Sequence, residues 1–136
     1  MSEGELILYS TEDGAATIGL RAVDGTVWLS QREIGELFDK DVRTINEHIR
    51  NVFAEGECEA EATIRKFRIV QTEGSREVTR EVDTYNLDVI LSVGYRVRSA
   101  RGTQFRRWAT TVLREYLVKG FAMDDARLKQ AEQWDY

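Results

Sequence analysis

Residues 30–53 read SQREIGELFDKDVRTINEHIRNVF and carry the signals of two consecutive helices. Ser30 and Glu33 form a capping box, in which each side chain satisfies a free backbone group at a helix start, so the first helix begins at Ser30. Its apolar residues recur at helical spacing and are Ile34, Leu37 and Phe38. We expect this helix to stop near Asp39-Lys40.

A second helix is predicted from Asp41 to Phe53, because Asp41 can act as its N-cap and Gly56 supplies a stop. The apolar residues on one face of it are Val42, Ile45, Ile49, Val52 and Phe53. Gly35 is a small residue where the second helix must cross the first closely. Two helices joined by so short a turn are typical of a helix-turn-helix, although such pairs also occur in proteins that never meet DNA.

The opposite face of the second helix carries side chains suited to contacts with bases and phosphates. They are Arg43, Thr44, Glu47, Arg50 and Asn51, with Asn46 and His48 at the borders. Any exposed helix carries polar residues, so an ordinary solvated surface is the alternative. We predict that helix 41–53 reads a major groove of DNA.

Strand-like residues precede the helix pair in two runs, 5–10 and 17–29. Asp24-Gly25 interrupts the second run, and this dipeptide favours a two-residue hairpin turn. An N-terminal β-hairpin is therefore expected before Ser30.

Residues 64–84 predict a second β-hairpin, with strands 64–71 and 76–84 around the turn 72–75. A strand pair directly after a helix-turn-helix is the wing of winged-helix proteins. The predicted hairpin carries cations that can contact phosphates. They are Arg65, Lys66, Arg68, Arg76 and Arg80. The same hairpin also carries the carboxylates Glu73, Glu77, Glu81 and Asp83. A solvated hairpin that only packs on the core therefore fits the sequence as well as a wing that contacts phosphates.

Helical patterns return after this hairpin. Asn86 can cap a helix whose predicted apolar side consists of Leu87, Ile90, Leu91 and Tyr95, and Gly94 within it predicts a close helix contact. A further helix is predicted over 103–119, ending at Gly120. Its apolar stripe is Phe105, Trp108, Ala109, Val112, Leu113, Tyr116 and Leu117.

Residues 123–136 are predicted to begin another C-terminal helix, truncated at Tyr136. An exposed apolar patch around it would suit a protein partner. The residues of that patch are Phe121, Met123, Leu128 and Trp134.

The segment 94–108 concentrates arginine beside a helix N-terminus, a place that favours phosphate. The predicted DNA-backbone contacts, all expected to be exposed, are Arg98, Arg101 and Arg107. Structural use is expected for Arg96 and Arg106, which can stack on nearby aromatic rings or pair with Asp88 and Glu115.

The 136 residues are 42% hydrophobic and 32% charged, which suits one folded domain, assigned to residues 1–122. The net charge of −5 opposes DNA binding, but the charge is unevenly distributed. Residues 55–61 hold four glutamates, whereas residues 89–114 hold six arginines and no carboxylate. A lone cysteine, Cys58, and the lack of a signal-like or membrane-spanning stretch predict a cytoplasmic protein.

No catalytic role, cofactor or metal is predicted. His48 is the only histidine and Cys58 the only cysteine, so neither a Cys/His metal site nor an evident nucleophile and base pair is present. Asp83 and Asp88 could hold magnesium for a nuclease, but such residues more often cap helices or pair with arginine.

Four segments of the chain carry a resemblance to a known family: TVWLSQ (26–31), INEHIRNVFAEGE (45–57), YNLDVILSVGYRV (85–97) and RGTQFRRWA (101–109). Through them, and from Leu6 almost to its end, the chain resembles the N-terminal domain of the RhuM virulence-protein family. The last third also resembles, more distantly, the Phe-Arg-x-Trp region of phage antirepressor domains. The resemblance implies a DNA-binding protein of bacterial or phage origin with no assigned catalytic residues.

These patterns together predict an α+β, winged-helix-like fold: an N-terminal β-hairpin, a helix-turn-helix, a second β-hairpin and C-terminal helices. The expected function is sequence-specific binding of double-stranded DNA by a homodimer. The alternative is a protein-interaction module of a defence or toxin-antitoxin system, in which the helix-turn-helix is scaffold and the C-terminal helices bind the partner.

Overall fold

The computed structural model describes residues 5–122, with side chains as far as Lys119. Five antiparallel strands form one sheet in the order β1-β2-β3-β5-β4. Their bounds are β1 Glu5–Ser10, β2 Thr17–Val23, β3 Thr26–Ser30, β4 Ile64–Glu73 and β5 Arg76–Asn86. The fold is thus mixed α and β, as predicted.

The two predicted antiparallel units belong to a single sheet. The N-terminal unit is a three-stranded meander rather than one hairpin, with Asp24 and Gly25 at φ 58° and 79° in the turn between β2 and β3. β3 also pairs with β5, so that Leu29 lies opposite Tyr85 and Ser30 opposite Thr84. This pairing places the start of the first helix beside the base of the second hairpin.

Helices occupy the rest of the described chain. Their bounds are α1 Gln31–Phe38, α2 Val42–Ala54, α3 Ala60–Thr63, α4 Leu87–Val97, α5 Ala100–Trp108 and α6 Arg114–Ala122, with a π-helical turn over Ala109–Leu113 between the last two. No helix within residues 5–122 has the length and apolarity needed to cross a bilayer.

The predicted capping box at the start of α1 is confirmed. The backbone N–H of Glu33 donates to the Ser30 hydroxyl at 3.2 Å, and the Glu33 carboxylate accepts from the Ser30 N–H at 2.8 Å. At the other end, Asp39 is left-handed with φ 57°, and its N–H donates to the Gly35 carbonyl. A Cβ on Gly35 would lie 2.8 Å from the Lys40 carbonyl oxygen, so this tight turn requires glycine.

The core lies where α1, α2, α4 and α5 meet the sheet. Ile45, Ile49 and Val52 of α2 are buried as predicted, but Val42 is 41% exposed. The predicted apolar side of α4 is partly wrong: Val89 and Val93 join Ile90 in the core, whereas Tyr95 is 70% exposed. Asn86 caps α4 as predicted, accepting from the Val89 N–H.

The long C-terminal helix differs from its prediction in three ways. It begins at Ala100 rather than Thr103, and it continues through Gly120 to Ala122. The π turn also changes the helical phase, and Val112 within it is 48% exposed. Trp108, which precedes that turn, is only partly buried. The predicted helix over 123–136 and its apolar patch lie outside the residues whose side chains are described.

Gly94 lets α4 approach α1 closely, as this glycine predicted, and Gly102 lets α5 cross α4 closely. A Cβ on Gly94 would lie 2.9 Å from the Phe38 ring, and one on Gly102 would lie 2.6 Å from the Gly94 carbonyl oxygen. The Gly94 carbonyl belongs to the backbone, so it cannot rotate away from a Cβ on Gly102.

Gly102→Ala is therefore expected to lower the free energy of unfolding by about 1–3 kcal/mol, because the two helices must separate. Urea denaturation measures this change. Thr103→Ala, at the exposed next position, is the control and should stay within about 0.5 kcal/mol of the parent. Equal stabilities for the two variants would show that the helix crossing adapts freely.

Candidate nucleic-acid interface

The outward face of α2 carries the side chains that the sequence predicted there. Arg43, Glu47, Arg50 and Asn51 are exposed, and Thr44, Asn46 and His48 are half-buried at its borders. Within the described part of the chain, no ion pair and no side-chain hydrogen bond engages Arg43, Glu47, Arg50 or Asn51. These groups are therefore available to an external ligand.

One flank of α2 faces the sheet and the second hairpin. Phe53 packs near Tyr85 of β5, with ring centroids 6.4 Å apart. Gln31 of α1 donates to the Val42 carbonyl at 3.4 Å. The first contact joins α2 to β5, and the second joins it to α1.

The other flank of α2 faces α4. Arg96 of α4 donates to Glu55 at 2.7 Å and also to Glu57, which ties the end of α2 to α4. Burial and the nearby Arg96 guanidinium lower the pKa of His48 below its ordinary value, so the imidazole is neutral at pH 7.

Three of the five cations on the hairpin of β4 and β5 are held in ion pairs. Lys66 pairs with Asp83 at 2.7 Å, and Arg80 pairs with Glu73 at 2.9 Å. Arg65 pairs with Asp24 and lies over the rings of Trp28 and Phe67, 5.8 and 5.4 Å from their centroids. Arg68 and Arg76 are the hairpin arginines for which the described residues supply no ion pair.

A bidentate ion pair that the sequence did not predict anchors α1 to the sheet. The Arg21 guanidinium donates to both oxygens of Glu33, at 2.7 and 2.6 Å. Burial would raise the pKa of Glu33, but the hydrogen bonds from Arg21 and the Ser30 N–H outweigh it and lower that pKa. Glu33 thus serves two contacts at once, whereas the capping pattern in the sequence indicated only one.

The arginine-rich segment 94–108 separates into exposed and engaged side chains. Arg98 and Arg107 are exposed and have no ion pair among the described residues. Arg98 lines an open groove of about 690 Å³ together with Ser99, Thr103 and Arg106, at the N-terminus of α5.

The expected exposure is wrong for Arg101, which is only 14% exposed. It donates to Asp13 at 3.0 Å and to the Glu36 carbonyl at 3.0 Å, so it joins the β1–β2 turn to α1 and α5. Hydrogen bonds from Thr11, the Ala15 N–H and Arg101 lower the pKa of Asp13 to about 2.

The structural use predicted for Arg96 and Arg106 is confirmed. Arg106 lies over the Tyr95 ring at 4.4 Å from its centroid. The partners of Arg96 are Glu55 and Glu57 rather than the expected Asp88 or Glu115. The acidic cluster that follows α2 is thus partly neutralised by the basic segment.

The side chains considered for catalysis include Cys58, Asp83 and Asp88. Burial raises the pKa of the Cys58 thiol, whose sulfur lies 3.9 Å from the Ser92 hydroxyl. Asp83 is paired with Lys66, and Asp88 lies in the first turn of α4. Among the described residues, no three His, Cys, Asp or Glu side chains are grouped to hold a metal ion.

The chain is thus a mixed α/β protein in which a five-stranded antiparallel sheet supports an exposed, partly basic helix. Residues 62–136, more than half of the chain, match the model of the virulence protein RhuM family, and the chain belongs to this family. No curated protein and no solved structure was found to match it. The family match covers the carboxy-terminal half of the chain, whereas the resemblance was expected to start at Leu6 and to concern the family's N-terminal domain.

Proposed function

We propose that this protein is a sequence-specific DNA-binding domain in which α1, the turn 39–41 and α2 form a helix-turn-helix. α2 enters the major groove and its outward side chains contact base edges. The observation that carries this proposal is the exposed, unpaired state of Arg43 and Arg50 on α2. The arginines held in ion pairs are Arg21, Arg65, Arg80, Arg96 and Arg101, whereas Arg43 and Arg50 are not.

The order of elements supports a winged-helix arrangement. The helix pair lies between β3 and β4, and the hairpin of β4 and β5 returns to pair with β3. This hairpin is the wing, and the contact between Phe53 and Tyr85 holds it beside α2. Arg68 and Arg76 are its phosphate contacts, and Arg98 and Arg107 extend the basic surface along α5.

The net charge of −5 is unfavourable for DNA binding, and ion pairs within the fold do not remove it. Many carboxylates already have cationic partners within the fold; they are Asp13, Asp24, Glu33, Glu55, Glu57, Glu73 and Asp83. These seven carboxylates are paired with six cations, so the pairing leaves the balance of the other charges almost unchanged. The proposal therefore depends on the exposed positions of Arg43 and Arg50 and not on the total charge.

A homodimer would read two half-sites about one DNA turn, roughly 34 Å, apart. Symmetry then requires an inverted repeat in the DNA. We expect two protomers to bind one duplex cooperatively, and we assign the protein no catalytic role.

The test is binding to a pool of random duplexes over a salt series, by filter retention or fluorescence anisotropy. Each phosphate contact should add about −0.9 to the log–log slope of affinity against salt. Arg43→Ala or Arg50→Ala should weaken binding to the preferred sequence by about 1–3 kcal/mol and relax sequence preference.

Arg107→Ala is the matched control, because the same charge is removed from an exposed helix position outside α2. It should weaken binding to every sequence alike and reduce the salt slope. A flat salt response, or folded Arg43→Ala and Arg50→Ala variants with parental affinity and preference, would contradict the proposal.

A second candidate function is protein interaction, with the helix pair as scaffold. The observation that favours it is the edge strand β1, where Leu6 and Leu8 are 59% and 60% exposed. Natural edge strands usually carry charges or proline that prevent pairing; β1 has no proline, and its single charged residue is Glu5 at its first position. If the α2 variants bind DNA normally and Leu8→Lys abolishes capture of a partner protein, this function takes first place.

A further inference from the structure

The outermost line of α2 consists of Arg43, Glu47 and Arg50. At 100° per residue these three lie within an arc of about 60°, opposite the buried line of Ile45 and Ile49. The half-buried neighbours lie at the sides of this arc. A groove that receives α2 therefore meets this line first.

Glu47 stands between the two arginines in this line, which is unfavourable for a surface that only holds phosphates. A carboxylate repels the DNA backbone, and within the described chain Glu47 forms no ion pair that would neutralise it. A carboxylate becomes favourable in a major groove when it accepts a hydrogen bond from a base amino group, as from cytosine N4. The sign pattern +, −, + thus indicates base reading.

Arginine in the same groove has a different preferred partner. Its planar guanidinium donates two parallel hydrogen bonds to O6 and N7 of guanine. Arg43 and Arg50 are exposed, and no carboxylate of the described chain is bound to them. Both guanidinium groups are therefore available in full for bidentate contacts.

The helical rise sets the distance between these contacts. Arg43 and Arg50 are seven residues apart, which is about 10.5 Å along the helix, and Glu47 lies about 6 Å from Arg43. Base pairs are stacked about 3.4 Å apart, and a helix that follows the groove covers slightly fewer steps than its length alone implies. The two arginines thus reach base pairs two to three steps apart.

We propose that α2 selects a half-site with two G·C pairs two to three steps apart, read by Arg43 and Arg50, and a cytosine between them read by Glu47. This inference rests on the proposed DNA-binding function and adds the chemistry of the preferred site. It makes Glu47 a residue that determines specificity, since its charge weakens binding to every sequence that lacks the cytosine amino group.

The experiment is selection from a duplex library with a randomised core, followed by affinity measurements on the selected site and its single-base variants. The parent chain should enrich the G·C pattern, and replacing either guanine or the cytosine should weaken binding roughly ten- to hundredfold. Glu47→Gln should change the preference at the central position from cytosine to adenine, because glutamine pairs with adenine N6 and N7.

Glu36→Gln is the matched control, with the same loss of charge at an exposed position of α1. It should leave the selected sequence unchanged, and thermal unfolding should show both variants to be as stable as the parent. Salt-sensitive binding without G·C enrichment, or an unchanged central preference in Glu47→Gln, would overturn this inference and leave DNA binding intact. Failure of every duplex to bind would overturn both.

Discussion

Phe105→Ala should lower the free energy of unfolding by about 3–5 kcal/mol, because it removes a fully buried aromatic ring from the core. Phe105 is fully buried and joins α5 to two other elements. Its ring is in edge-to-face contact with Tyr9 of β1, 5.3 Å between centroids, and with Phe38 of α1, 6.0 Å between centroids. Removing the ring leaves a cavity between the sheet and the helix pair. Urea denaturation at pH 7 measures the resulting change in the free energy of unfolding.

Trp108→Ala is the control from the same helix. Trp108 is a larger side chain and lies 4.7 Å from Tyr9 between ring centroids, but it is only partly buried. Its loss should therefore cost clearly less than that of Phe105. The reverse order would mean that Trp108 is buried, as the apolar stripe predicts, and that it stabilises the core more than Phe105 does.

Glu33→Gln should lower the free energy of unfolding by about 2–3 kcal/mol. The change removes one partner of a mostly buried ion pair, in which the side chains of Arg21 and Glu33 are 20% and 23% exposed. Breaking a fully buried pair costs about 3–5 kcal/mol, and the residual exposure reduces this figure. Glutamine at this position still completes a capping box, so the loss reports the contact with Arg21 rather than the cap.

The pH dependence of this loss has a definite sign. The pKa of Glu33 is lowered in the folded state from its ordinary value of 4.5, so the unfolded state binds the proton more readily. The stabilisation is complete above that ordinary value and disappears as the pH falls through the lowered folded-state pKa. Parent and variant should therefore converge in stability at acid pH, and a difference that persists there would contradict an ionic origin. Arg21→Gln, combined with Glu33→Gln in a double-mutant cycle, isolates the pair energy.

Much of the local structure was predictable from short stretches of the chain. The capping box at Ser30, the turn at Asp24-Gly25 and the cap at Asn86 depend on residues within about four positions of each other, whose interactions exist wherever the segment is placed. Gly35 and Gly94 likewise indicated close contacts before their partners were known. The exposed residues of α2 followed from helical periodicity alone.

The arrangement of these elements could not be obtained in this way. The pairing of β3 with β5 converts two predicted units into one sheet, and the π turn interrupts the regular helical phase from which Val112 was predicted to be buried. Neither the strand pairing nor the π turn is indicated by a local sequence pattern. Both depend on how distant elements share one core.

The assignment of each arginine required the complete path of the chain. Arg98, Arg101 and Arg107 have the same local surroundings in the sequence, but Arg101 meets Asp13, which lies 88 positions away. Local patterns establish which segments are helices or strands and which faces are polar, since backbone geometry and capping act over a few residues. Whether a charge on such a face is free for a ligand or neutralised within the protein depends on which distant side chain lies within a few ångströms, and folding alone brings those side chains together.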